Sequence, residues 1–189
     1  MSSISKFSIL LFCTAAIAIT DSAIAQAATS AKSRIFNAKG ELVGTASFIQ
    51  SNKGVKVTVQ VQNLNQGEHM IHLHENGKCE APSFKSAGDH FNPDQSPKNH
   101  SHGGHHKHEM PKHGGSHHKP AGDLPNIMVK QDGTGFLSAE LPALTLGSGK
   151  NSLLKQGGTA IIIHAGANGK STIPNVDYKT RIACGVVTP

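Results

Sequence analysis

From Val55 to Gln62 the chain reads Val-Lys-Val-Thr-Val-Gln-Val-Gln, apolar and polar in strict alternation. Strand side chains point to opposite faces in turn, so this octet sorts its valines to one side and its polar groups to the other. Such a segment lies over a core on one face and meets water on the other. Comparable runs recur at Ser33 to Asn37, Leu42 to Gln50, His69 to His74, Ile127 to Gln131, Gly135 to Glu140, Thr159 to His164 and Arg181 to Val187. Turn chemistry separates several of them: Lys39-Gly40, Asn52-Lys53-Gly54 and Asp132-Gly133. Helix signals are nearly absent after residue 28. The expected fold is all-β, an eight-stranded antiparallel barrel or sandwich.

The first residues follow a different logic. Lys6 precedes an apolar stretch from Phe7 to Ile19, and Ala23-Ile24-Ala25 offers a cleavage site. This reads as a secretory signal peptide over 1–25, too short and wrongly flanked for a membrane anchor. The domain is then 26–189, with no membrane attachment after cleavage, and the product is periplasmic or extracellular. Formal net charge is +6 at pH 7, and losing Lys6 and Asp21 with the leader leaves it unchanged. The lysines are scattered and no aromatic stacking motif accompanies them, so nucleic acid is not the expected partner. The charge suits attraction of a small anion. Cys13 leaves with the leader, which keeps Cys79 and Cys184. In an exported chain these are expected to form one disulfide, two buried free thiols being the other reading.

His72-Leu73-His74 carries the first chemical signal. Residues i and i+2 of a strand share a face, so both imidazoles project together from stiff backbone. Neutral imidazole suits copper and zinc. His90 and His164 lie in strand or strand-end contexts further along. Between Cys79 and Gly122 the apolar periodicity lapses. There 99–120 holds eight histidines: His100, His102, His105, His106, His108, His113, His117 and His118. Such a stretch cannot bury a core; it reads as a long loop insertion that binds metal, or as a solvated low-complexity insert.

Five motifs in order resemble the copper/zinc superoxide dismutase family: His72-Leu73-His74-Glu75, Ser86 to Pro93 with His90-Phe91-Asn92-Pro93 at its end, Gly122-Asp123-Leu124-Pro125, Ile163-His164, and Arg181-Ile182-Ala183-Cys184-Gly185. The resemblance spans nearly the whole mature chain. It implies a Greek-key barrel with long metal-binding loops, a fold for which the family is a known example. It also implies dismutation of superoxide to oxygen and hydrogen peroxide at a redox-cycling copper, by a monomer or homodimer. Carried over, the copper ligands are His72, His74, His90 and His164. His90 bridges to zinc, Asp123 is a zinc ligand, Cys79–Cys184 is the disulfide, and Arg181 guides the anion to copper.

Two positions depart from the family pattern. Where it has His-x-Gly-Asp, with the histidine on zinc, this chain has Pro120-Ala121-Gly122-Asp123. Proline cannot ligate, so His113 and His118 are the expected zinc ligands beside His90 and Asp123. Where the family has an aspartate four residues after the last copper histidine, this chain has Asn168. An amide lacks the charge that raises imidazole basicity, and Asp177 is the expected substitute. Both departures fall on zinc, so weaker zinc binding with copper chemistry retained is expected. The rival reading is a non-enzymatic exported copper/zinc-binding protein on the same scaffold.

Overall fold

The structure is a computed structural model that describes residues 29–94 and 120–189. The expected signal peptide and nearly all of the His-rich insertion, His113 and His118 included, lie outside the described residues. Among the described residues eleven strands form, in chain order β1 (Ser30–Asn37), β2 (Leu42–Ser51), β3 (Gly54–Val61), β4 (Gly67–His69), β5 (Ile71–His74), β6 (Ile127–Val129), β7 (Gly135–Leu141), β8 (Ala160–His164), β9 (Gly166–Ala167), β10 (Lys170–Ser171) and β11 (Arg181–Val186). Among the described residues the only helical element is a 3-10 turn at Lys85–Ala87.

Nine strands form one antiparallel sheet in the order β4-β6-β7-β3-β2-β1-β11-β8-β5. β7 returns beside β3 after the chain has crossed to β4 and β5, a Greek-key connection. The strands at the two ends of this order, β4 and β5, are separated in the chain only by Met70. Met70 N donates to the Gly166 carbonyl, and the Met70 carbonyl accepts from His164 N. The run expected as one strand over His69 to His74 is therefore two. Its first half must pair with β6 and its second half with β8, and the chain bends at Met70 to close the barrel. That split, with the short β9–β10 pair, accounts for the excess over eight strands.

The alternation in β3 works as read. Val55, Val57, Val59 and Val61 are buried, packing with Ile35, Phe48, Leu73, Ile127, Leu137, Ile161 and Ile163. One polar group intrudes. Ser33 is buried on the inner face of β1, its hydroxyl has no partner, and a side-chain carbon on Gly185 would collide with it. A buried hydroxyl without a hydrogen bond costs stability, so Ser33→Ala should raise the unfolding free energy by about 1 kcal/mol. A urea titration checks this; a lower midpoint would show that Ser33 has a partner worth keeping.

β8 differs from β3 because all of Ala160–His164 is buried. Ile161 and Ile163 enter the main core, whereas Ala160 and Ile162 join Phe84, Ala87 and Cys184 in a second cluster on the outer face. The segment after β5 folds over that face and is tied down by Cys79–Cys184, as expected from the two cysteines. The outer faces of β5, β8 and β11 are thus roofed, which is what places a buried polar site outside the barrel.

Candidate metal centre

Leu73 points into the core, so His72 and His74 on either side point out under the roof. One edge of β5 is taken by β8. The other is taken by two loop segments. Phe91 N donates to the Leu73 carbonyl at 2.8 Å, Leu73 N to the Gly122 carbonyl at 2.8 Å, and Gly122 N to the Phe91 carbonyl at 2.8 Å. These bonds set His90 beside His74 and Asp123 beside His72. Gly122 is required here because a Cβ would lie 2.8 Å from the Leu73 carbonyl oxygen and 2.9 Å from that of Phe91. The Gly-Asp pair is thus a close backbone approach that presents Asp123. On the opposite side Met70 fixes the end of β8 and brings His164 onto the same face.

The four histidines meet. One ring nitrogen from each of His72, His74, His90 and His164 lies within 4.8 Å of all the others. Backbone carbonyls fix the orientation of two rings. His74 Nδ1 donates to the Gly88 carbonyl at 3.0 Å and His164 Nδ1 to that of Lys179 at 2.7 Å. Each then presents a bare Nε2. His72 Nδ1 faces His164 Nε2 at 3.2 Å. His90 Nδ1 donates to Asp123 Oδ1 at 2.8 Å, which leaves Nε2 for the cluster. His74 Nε2 is buried with no hydrogen-bond partner. A buried polar atom in that state is costly unless something else satisfies it, and a cation accepting its lone pair does so. Four converging imidazole nitrogens without thiolate fit copper.

Burial and mutual repulsion keep the His72, His74 and His164 rings neutral, the form a metal needs. Burial, then the neighbouring His90 and His164, pushes His72 down from 6.5 to about 3. Burial does the same to His74, also to about 3, against an opposing pull from its bond to Gly88. His164 is lowered too, chiefly by burial. The unfolded rings take up protons near pH 6.5 and the folded ones do not, so acid favours the unfolded state. Stability of the metal-free protein should fall as pH drops below 6.5 and level off near 3, losing on the order of 3 kcal/mol or more by pH 4. Urea midpoints across this range measure it; a flat profile from pH 7 to 4 would contradict neutral buried rings.

Arg181 begins β11, paired in register with His164. Its Nη1 donates to the Phe84 carbonyl at 2.8 Å and its Nη2 to the Gly88 carbonyl at 2.7 Å. The Gly88 carbonyl thus accepts from both His74 and Arg181. Among the described residues no carboxylate forms an ion pair with Arg181. Its hydrogen bonds are to neutral acceptors, and the Asp89 carboxylate acts on its charge through space without a contact ion pair.

The family model described as copper/zinc superoxide dismutase (SODC) matches residues 42–187. The chain belongs to the copper/zinc superoxide dismutase family. Superoxide dismutase (Cu-Zn) 1 of Aquifex aeolicus is 42% identical over 155 residues, covering 81% of this chain and 84% of that one. The Deinococcus radiodurans superoxide dismutase (Cu-Zn) is 36% identical, covering 78% of each. A crystal structure of a SOD-like protein from Bacillus subtilis superposes with a TM-score of 0.61 at 29% identity, covering 82% of this chain and 96% of that one.

A copper/zinc superoxide dismutase also holds zinc, and here the structure revises part of the sequence reading. Asn168 sits in a left-handed turn at φ 52°, and its Nδ2 donates to Glu68 Oε2 at 2.7 Å. Glu68 Oε1 accepts from Asn126 at 3.0 Å. Asp177 does not take the place of the family aspartate. It closes its own turn, accepting from Lys179 N at its carboxylate and from Thr180 N at its carbonyl. The carboxylate that holds the segment after His164 is Glu68. His69 was also missed. It is fully buried, with its ring nitrogens 2.7 Å from the His164 carbonyl and 2.8 Å from that of Asn65. A lone histidine in a strand gives no sign of this, because one partner is 95 residues away and the other is a backbone carbonyl, which carries no sequence signal.

Proposed function

We propose that this protein dismutes superoxide to oxygen and hydrogen peroxide, with copper held by His72, His74, His90 and His164. The observation that carries the reading is the convergence of four imidazole nitrogens around the unpartnered His74 Nε2. Copper bound there supplies a one-electron couple able to oxidise one superoxide and reduce another. The protein's own groups do the rest. Neutral rings offer lone pairs, the Gly88 and Lys179 carbonyls fix which nitrogen is offered, and Arg181 draws the anion in. His90, with one nitrogen toward the cluster and the other at Asp123, would serve zinc as well as copper, and Asp123, His113 and His118 would complete the zinc ligands. The enzyme is exported, to the periplasm or beyond the cell, as the N-terminal pattern suggests, and works as a monomer or homodimer.

Pro120 and Asn168 favour the second reading, a metal-binding protein without turnover. Superoxide decay on copper-reconstituted protein separates the two: catalytic decay is expected, and stoichiometric copper without turnover would establish the binder. On the zinc side, dialysis against a mild chelator should leave copper in place and zinc below one per chain. One tightly held zinc retained by a His113/His118 double alanine variant would overturn those two ligands.

A further inference from the structure

The outer face of β1 carries a groove that the metal chemistry does not use. It has a volume of about 470 Å³ and is lined by Lys32, Arg34, Phe36, Val186 and both members of the disulfide, Cys79 and Cys184. That is the size of a site for a small molecule. Lys32 and Arg34 are exposed, and among the described residues neither forms an ion pair. The Arg34 guanidinium lies 5.1 Å from the centre of the Phe36 ring, which holds it at the groove wall. Near the disulfide in sequence, Lys78 and Glu80 are exposed and offset each other, and neither lines the groove. Cys184 is 1% exposed, backed by Phe84, Ala87, Ala160 and Ile162, whereas Cys79 is only partly buried. A basic cleft therefore opens on the disulfide, whose less buried member is Cys79.

We propose that this groove admits a small anionic peptide thiol, which exchanges with Cys79–Cys184. The thiolate attacks Cys79 Sγ. The S–S bond breaks, and its electron pair leaves on Cys184 Sγ, which takes a proton from solvent. The products are a mixed disulfide on Cys79 and a free thiol at Cys184, so no further oxidant or reductant is needed. Lys32 and Arg34 concentrate the incoming anion. The consequence reaches the metal centre. The disulfide tethers the segment whose Phe84 and Gly88 carbonyls hold Arg181 and orient His74, so exchange loosens both at once.

The test uses the oxidised full-length protein with glutathione as the anionic probe and cysteamine as the cationic one, at equal thiolate concentrations. Adducts are quenched in acid and located by mass spectrometry. Glutathione should attach at Cys79. Its rate relative to cysteamine should fall about 10-fold in K32E/R34E, by less in K32Q/R34Q, and on raising salt to about 0.5 M. Taking the ratio within each variant cancels the difference in intrinsic nucleophilicity. A ratio unchanged by both variants, an adduct confined to Cys184, or no adduct where the urea-unfolded protein reacts readily would each overturn the proposal. The neutral variant keeps the test decisive should charge reversal disturb β1.

Discussion

His74→Ala should reduce superoxide turnover of the copper-treated protein by more than about 100-fold, since loss of a group that merely orients a ligand already costs 10–100-fold. His74 is the most informative of the four positions. It is fully buried, its Nδ1 is committed to Gly88, and its Nε2 has no partner. A purely structural histidine at such a depth would have both nitrogens satisfied, as His69 does. Leaving Nε2 bare costs about 1–3 kcal/mol in the metal-free fold, and copper recovers it. Copper should therefore raise the melting temperature of the wild type strongly and that of His74→Ala far less. Copper per chain by atomic absorption, turnover and the two melting curves measure this. Full copper stoichiometry with unchanged turnover in the variant would remove His74 from the site, and the enzyme reading with it.

That part of the histidine cluster was legible, while the choice of His113 and His118 rested on nothing local, has a physical basis. His72 and His74 share a face whenever their segment is a strand, and the apolar residues around them make it one. Local backbone geometry decides that much. His90 and His164 needed the resemblance to be joined to them, since periodicity describes a segment and not its neighbours. The bend at Met70 shows the same limit. His69 to His74 reads as one strand, and only the need to pair with β6 on one side and β8 on the other divides it. The run of buried residues at Ala160–His164 likewise marks a strand covered on both faces, but does not say that the cover is a loop pinned by Cys79. Second partners are the least legible of all. Glu68 at Asn168, the Gly88 carbonyl between His74 and Arg181, and His69 under His164 are pairings across large sequence separations. His113 and His118 lie in a segment with neither periodicity nor turn pattern to fix it, so nothing local selects them from the other six histidines of 99–120.

Arg181→Ala should lower turnover of the copper-loaded protein about 10-fold and flatten its dependence on salt. The magnitude rests on electrostatic steering, for which this enzyme family is an established case and which raises encounter rates by 10–10³. The argument for this residue is local. The guanidinium is half-buried, which lowers its pKa, but an arginine stays charged at any working pH. Its hydrogen bonds go to two neutral carbonyls, and among the described residues it forms no contact ion pair, Asp89 acting on it only through space. Its register partner is His164, one of the four clustered histidines. A competing account makes Arg181 a clamp that holds the Phe84–Gly88 segment. Arg181→Lys separates the two. An ammonium keeps the charge but cannot reproduce the two-pronged contact to Phe84 and Gly88. If steering dominates, the lysine variant recovers most of the turnover and its salt sensitivity, at some loss of stability. If the clamp dominates, lysine and alanine fail alike, the salt slope matches that of the wild type, and copper affinity falls in both as the Gly88 carbonyl drifts from His74. The salt slope of kcat/KM, measured beside copper affinity in the same three proteins, decides between charge and scaffold.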